Sequence, residues 1–179
     1  MKIGVYLSSK DHLPSSYVEA AQQVGSFIGS EGHTLVYGGA RKGLMEVLAL
    51  SVKQAGGRVY GMVPEIIEQR GLVSDAIDVT FRCVDLNDRK MMMNRESDVL
   101  VALPGGIGTL DEVFTVMANT VIGIRHQPVV FFNVDDCWSA LLVALDNLFE
   151  QGLISGQPSD YYHVVSNVEE LKNVLKKIG

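Results

Sequence analysis

Residues 99–112 read VLVALPGGIGTLDE, and the fold turns on how that stretch divides. Val99 to Leu103 is an unbroken apolar run with no alternation, the pattern of a strand buried on both faces. Pro104-Gly105-Gly106-Ile107-Gly108-Thr109 is a loop, and Leu110 to Ile122 then carries apolar residues at helical spacing, with Asp111 and Glu112 in the first turn. A buried strand that passes through glycines into a helix N-terminus is half of a βαβ unit.

The same alternation extends in both directions. Upstream, Ile3 to Leu7 reads as a strand, and Tyr17, Ala20, Ala21, Val24, Phe27 and Ile28 follow at helical spacing until Gly32 stops them. Thr34 to Tyr37 is a second strand entering Gly38-Gly39, followed by a helix through Leu44, Val47 and Leu48 that ends at Gly56-Gly57. Arg58 to Val63 is a third strand closed by Pro64, Glu65 to Ala76 a short helix plus loop interrupted by Gly71, Val79 to Val84 a fourth strand and Leu86 to Arg95 a helix. Downstream come a strand at Val129 to Phe132, a helix at Trp138 to Glu150 and a short strand at His163 to Val165. Ser166 and Glu169 stand at capping-box spacing before a last helix. Short, continuously apolar strands between helices predict one Rossmann-like doubly wound α/β domain over residues 1–179. Its sheet is mostly parallel, with helices on both faces. No internal repeat or linker divides it.

Composition narrows the function. With 179 residues, 47% of them hydrophobic, the chain can bury one full core. A formal net charge of -6 argues against general affinity for nucleic acid or acidic membranes, whereas a small anion needs only a local positive site. Every apolar run is far shorter than the roughly 20 residues that span a bilayer, and the start MKIGVYLSSK lacks a signal-peptide arrangement. A cytoplasmic protein is expected. Cys83 and Cys137 are too few and too far apart for a disulfide framework or zinc-ligand pattern, and His12, His33, His126 and His163 are scattered. The sequence therefore predicts no metal and no cofactor.

In doubly wound sheets ligands bind beyond the carboxyl ends of the strands, so the loops there matter most. Glycines let backbone N–H groups approach a phosphate, a helix N-terminus adds about half a positive charge, and Thr109 adds a hydroxyl donor. The plain alternative is a tight turn with no ligand. A dinucleotide fingerprint would want Gly or Ala where Asp111 stands, and no P-loop Gly-Lys-Ser/Thr occurs. The loop Gly38-Gly39-Ala40-Arg41-Lys42-Gly43 and the Ser8-Ser9 turn follow two other strands. Each alone is weak; delivered to one crevice, they make Ser9, Gly39 and Gly43 candidate nucleotide contacts. Asp88-Arg89-Lys90-Met91-Met92-Met93 lies early in the helix before the fifth strand, where a guanidinium can reach the glycine loop. Otherwise it is a solvated basic pair beside core methionines.

These residues together resemble the LONELY GUY family of phosphoribohydrolases, many of whose members carry an older label of lysine decarboxylase. The likeness rests on Asp88-Arg89-Lys90 with Met93 and on Pro-Gly-Gly-x-Gly-Thr-x-x-Glu from Pro104 to Glu112. It extends to Tyr37-Gly38-Gly39 with Gly43-Leu44-Met45, to Ser8-Ser9, and to Gly123-Ile124 before Pro128. The older label lacks chemical support, because no pyridoxal phosphate site with a Schiff-base lysine is evident. The resemblance implies release of adenine or an N6-substituted adenine, a cytokinin base, together with ribose 5-phosphate from the matching nucleoside monophosphate. It also implies a homodimer with sites near the subunit interface. By matching position, Arg89 and Glu112 are the catalytic pair and Lys90 stands alongside. Gly105, Gly106, Gly108 and Thr109 hold the phosphate, with Pro104 and Met45 completing the binding motifs.

The residue types suit that chemistry. Breaking an N-glycosidic bond builds positive charge on the ribose, which a carboxylate stabilises or relieves by activating water. A guanidinium anchors phosphate or balances the departing purine. Thr115, Asn119 and Val121 stand where the family often has Glu, Trp and Gln, and Leu86-Asn87 replaces a common Met-His, so base preference is open. The apolar set Val113, Val116, Val121 and Ile122, with Met91 to Met93, is compatible with a helical dimer interface. Two other classes remain. One is a non-catalytic nucleotide or molybdenum-cofactor carrier on the same loop, against which a first-turn carboxylate counts because it would oppose the anion. The other is a DNA-processing protein, disfavoured by the acidic total.

Overall fold

A computed structural model describes residues 1–178. Its elements alternate as β1 (Lys2–Tyr6), α1 (Ser15–Ser30), β2 (Thr34–Tyr37), α2 (Gly43–Gln54), β3 (Arg58–Pro64), α3 (Glu65–Gln69), β4 (Val79–Cys83) and α4 (Leu86–Glu96). The second half continues with β5 (Val99–Ala102), α5 (Ile107–Val121), β6 (Val129–Phe132), α6 (Ser139–Glu150), β7 (Tyr162–Val165) and α7 (Val168–Ile178). Seven strands form one sheet in the order β4-β3-β2-β1-β5-β6-β7. Every pairing is parallel. The chain steps outward from β1 to β4, returns across the sheet through α4, and resumes on the other side of β1 at β5. Strand order therefore reverses between β1 and β5, where Ile3 pairs with Val99 and Tyr6 with Ala102. Their carboxyl ends open the crevice in which such folds bind ligands.

Side-chain alternation along β1 divides the interior into two layers. Ile3, Val5 and Leu7 point to one face, against Val24 and Ile28 of α1, Leu48 and Val52 of α2, and Leu171 of α7. Tyr6 points to the other, with Leu100 of β5, Met93 of α4, Val113 and Val116 of α5 and Leu145 of α6. Residues buried on both faces of a central strand have no polar side to show, which is why these strands read as unbroken apolar runs.

One local detail differs from the sequence reading. The last helix is capped one residue later than the Ser166/Glu169 spacing predicts. Asn167 Oδ1 accepts from the Glu170 N–H at 2.9 Å, and the Glu170 carboxylate accepts from the Ser166 N–H at 2.7 Å and from the Asn167 side-chain amide at 2.9 Å. An amide can donate to the glutamate as well as accept from the helix, so the Asn–Glu pair satisfies more groups than Ser166 with Glu169. The stretch after Pro64 is a short helix plus loop, as its sequence predicts, the helix covering Glu65–Gln69. The loop beyond it turns back to form an antiparallel bridge between Val73 and Ala40. Among the described residues no helix is long and apolar enough to cross a membrane.

The single tryptophan, Trp138, joins the two central strands' layer to α6. It is buried, packs on Phe131 with ring centroids 5.4 Å apart, and donates Nε1–H to the Ala102 carbonyl at 3.2 Å. Trp138→Phe keeps an aromatic ring and removes the indole donor to the Ala102 carbonyl. Chemical denaturation followed by circular dichroism is expected to show a loss of about 1–3 kcal/mol; an unchanged midpoint would mean that the bond contributes nothing.

Candidate active site

Three loops meet at the carboxyl ends of β1, β2 and β5. The Ser8 N–H donates to the Pro104 carbonyl at 3.1 Å, tying the β1 loop to the β5 loop. Gly43 opens α2 with φ +53 and donates its N–H to Asp11 Oδ1 at 3.2 Å. Its Cα lies so close to the backbone of Ser9 and Lys10 that a side chain there would collide. On the third side α5 begins at Ile107, so the N–H groups of Ile107, Gly108 and Thr109 have no partner within the helix and face outward. Thr109 is buried over Gly105, which has no room for a Cβ beneath it.

These loops enclose a cavity of about 490 Å³, within the range of small-ligand sites. Its lining includes Ser9 and Gly106 to Thr109, which offer hydroxyl and backbone donors to an anion, and the apolar Ala40, Met45 and Ile67. Arg89 and Glu112 line the same cavity. Arg89 sits one turn into α4, whose start is fixed by Asp85, the cap that accepts from the N–H groups of Asn87 and Asp88 at 2.8 Å. Beyond the helix's other end, Arg125 Nη2 and Gln127 Nε2 both donate to the Ser97 carbonyl, at 2.7 and 2.9 Å. Held at both ends, α4 presents the Arg89 guanidinium to α5, where Nη2 meets Glu112 Oε1 at 2.7 Å.

The pair is well shielded from water, with side-chain exposures of 16% for Arg89 and 9% for Glu112. Burial raises the Glu112 carboxyl to about 6, and the Arg89 charge and hydrogen bond oppose that rise without cancelling it. Arg89 Nε is buried and unpartnered, so one of its donors is left for a bound molecule. Gly38 makes the approach of the guanidinium possible: a Cβ there would stand 3.3 Å from Arg89 Nη1 and 2.6 Å from Met45 Cε. Below them the buried Tyr6 phenol is raised far above its ordinary value, first by burial and then by the Glu112 carboxylate.

Of the residues singled out from sequence, Ser9, Met45, Arg89, Gly106, Gly108, Thr109 and Glu112 line this one cavity. The others stand behind it. Gly39 packs on Val63 with φ +74 and accepts from the Ser74 N–H at 3.0 Å, and Gly43, Pro104 and Gly105 shape the loops as described. Lys90 turns away to bind both oxygens of Asp111 at 2.8 Å, a second clasp between α4 and α5. It borders a separate groove with Thr115, Asn119, Met91 and Ile124. Gly38, part of the second glycine loop, also lines the cavity, as do Lys10 and Ile67, which sequence reasoning passed over. Lys10 had a signal, since it directly follows Ser8-Ser9; Ile67, on a short helix remote in sequence, had none.

The chain is similar to known proteins over nearly its whole length. A family model described as "Possible lysine decarboxylase" matches residues 45–175. Cytokinin riboside 5'-monophosphate phosphoribohydrolase LOG3 of Arabidopsis thaliana is 33% identical over 99% of this chain and 81% of its own length. Probable cytokinin riboside 5'-monophosphate phosphoribohydrolase LOGL6 of Oryza sativa subsp. japonica is also 33% identical, over 99% of this chain and 70% of its own. Among solved structures, the molybdenum cofactor binding protein from the phototrophic bacterium Rippkaea orientalis superposes with a TM-score of 0.76 at 29% identity, covering 99% of this chain and 96% of that one.

The Glu112 carboxyl is expected to titrate near pH 6 rather than 4.5. Carbon-13 NMR of carboxyl-labelled glutamates would show this as a resonance absent from Glu112→Gln, and Arg89→Met should move its midpoint higher by removing the opposing cation. Because the folded state holds this proton more tightly than the unfolded chain, Glu112 adds stability as pH falls from about 6 toward 4.5. A midpoint at 4.5 would show an open, hydrated carboxylate.

Proposed function

The chain belongs to the family described as "Possible lysine decarboxylase", the LONELY GUY phosphoribohydrolases among its members, and we propose that it hydrolyses purine nucleoside 5'-monophosphates to free base and ribose 5-phosphate. The base is adenine or an N6-substituted adenine of the cytokinin type. One observation carries this reading: Arg89 and Glu112 form a dehydrated pair inside the same cavity as the open N-terminus of α5.

In this arrangement the phosphate sits on the N–H groups of Ile107, Gly108 and Thr109 and on the Thr109 hydroxyl. The ribose then lies beside Glu112, and the base extends toward Ala40, Met45 and Ile67. As the C1'–N bond breaks, its electron pair leaves with the purine and positive charge grows on the sugar, where ionised Glu112 opposes it. Water adds its oxygen to C1' and yields a proton to the carboxylate; that same proton then passes to the departing base, which restores ionised Glu112. The Arg89 guanidinium fixes the Glu112 oxygen and offers Nε to the phosphate or the departing ring. A pyridoxal-dependent decarboxylase does not fit these residues. The lysine in the cavity lining, Lys10, sits on an exposed loop, while Lys90 is engaged by Asp111.

Assembly as a homodimer fits the α4–α5 face, where Met91, Ile122 and Ile124 are about two-thirds exposed at 70%, 67% and 68%. A cytoplasmic setting, where free nucleotides are available, suits the reaction. The likeness to a molybdenum cofactor binding protein supports a second reading, a carrier that holds a phosphate-bearing cofactor without cleaving it.

Chromatography of reactions with AMP and with isopentenyladenosine monophosphate separates the two. Free base is expected from at least one, with turnover lowered on the order of 10² to 10⁴ in Arg89→Ala and in Glu112→Ala while circular dichroism is unchanged. Binding without base release would establish the carrier instead. Light scattering should report twice the chain mass; a monomer would remove the shared interface.

A further inference from the structure

Three charged side chains line the cavity: Lys10, Arg89 and Glu112. Arg89 and Glu112 face each other at 2.7 Å and largely neutralise one another. Lys10 makes no ion pair among the described residues, so it is the cavity's uncommitted cation. A phosphate monoester carries about -1.5 to -2 at neutral pH, and the helix terminus offers about half a positive charge against it. The chain as a whole bears a formal charge of -6 and repels such a ligand. The positive end of the site is incomplete without a further charge.

The backbone around Lys10 is built to supply it. Its N–H donates to Ser8 Oγ at 3.1 Å, and its carbonyl rests against the side-chain-free Cα of Gly43. The neighbouring Asp11 carboxylate, the one group close enough in sequence to capture the ammonium, is turned to the Gly43 N–H at 3.2 Å. The main chain is pinned while the exposed side chain, next to Ser9, makes no ion pair and lines the same cavity as the first turn of α5.

We infer that Lys10 is the residue by which the site distinguishes a 5'-phosphate from a free 5'-hydroxyl, its ammonium closing over the phosphate held at the start of α5. The inference rests on the phosphate-first orientation proposed above. A contact made equally in the bound and reacting states acts on affinity, so the effect belongs in KM more than in kcat.

Calorimetry with the full chain tests it, using AMP and adenosine on the native protein, Lys10→Ala and Lys10→Arg. Lys10→Ala should weaken AMP about tenfold, the scale of one charge-assisted contact at a partly screened site. Adenosine binding should stay as it was, Lys10→Arg should recover most of the loss, and the AMP difference should shrink in about 0.5 M salt. Unchanged AMP affinity in Lys10→Ala, or an equal loss for adenosine, would overturn the inference. Base release measured alongside keeps the two proposals apart. Lys10-dependent AMP binding without cleavage retains this one and removes the hydrolase; cleavage with an unaltered KM in Lys10→Ala does the reverse. A native protein that binds both ligands equally overturns the inference outright.

Discussion

Glu112 is a carboxylate in the second turn of α5, whose N-terminus faces the cavity, and it is only 7% exposed. It lies there, and not in the first turn as its spacing predicts, because the helix already begins at Ile107. A lone ionised group so placed would cost several kcal/mol in lost hydration. The guanidinium of Arg89 makes it tolerable, and it must come from a different helix, because no residue near Glu112 on α5 itself is basic. The two helices have to lie side by side on one face of the sheet. That condition is met because α4 carries the chain back across the sheet into β5 and α5 leaves from β5, so both border the point where strand order reverses. The Asp85 cap, the Arg125 and Gln127 donors, and the Lys90–Asp111 pair all serve to hold α4 at that distance.

The same pair sets the chemistry. Burial favours the protonated acid and Arg89 favours the carboxylate, and the balance leaves Glu112 near neutrality instead of firmly ionised. A group so poised accepts a proton from water far more readily than an exposed glutamate would. Asp111, adjacent in sequence and 56% exposed at its side chain, shows the contrast: it spends its charge on Lys90 at the surface. Identical chemical types one residue apart take separate roles because one points into the crevice and the other away from it.

Much of this was legible in the sequence, for identifiable reasons. Strands buried on both faces leave an unmistakable apolar run, and Val99 to Leu103 did so at the place that matters most. The glycine loop and the Asp88-Arg89-Lys90 run were visible as motifs, and their chief members do converge. A motif cannot say which way its side chains turn. Lys90 and Arg89 are neighbours on a helix, so they point about 100° apart, and only one can enter the cavity. Gly39 and Gly43 looked like ligand contacts because glycine permits close approach, yet what approaches them is protein: Val63 in one case and the Lys10 backbone in the other. Ile67 enters from α3, and the loop after that helix is drawn back by the Ala40–Val73 bridge, which no local pattern announces.

The position of β1 has a bearing on how the chain is made. This first strand lies at the centre of the sheet, with β2 on one side and β5 on the other. As synthesis proceeds at about 5–20 residues per second, β2 can pair with it almost at once, but β5 is not made until on the order of ten seconds later. Through that interval one edge of an apolar strand stands unpaired, the kind of surface that invites misassociation. The crevice, and with it the meeting of Arg89 and Glu112, arises only when that edge closes. The site thus cannot form until the chain has been made through Glu112, well after β1 to β4 are complete.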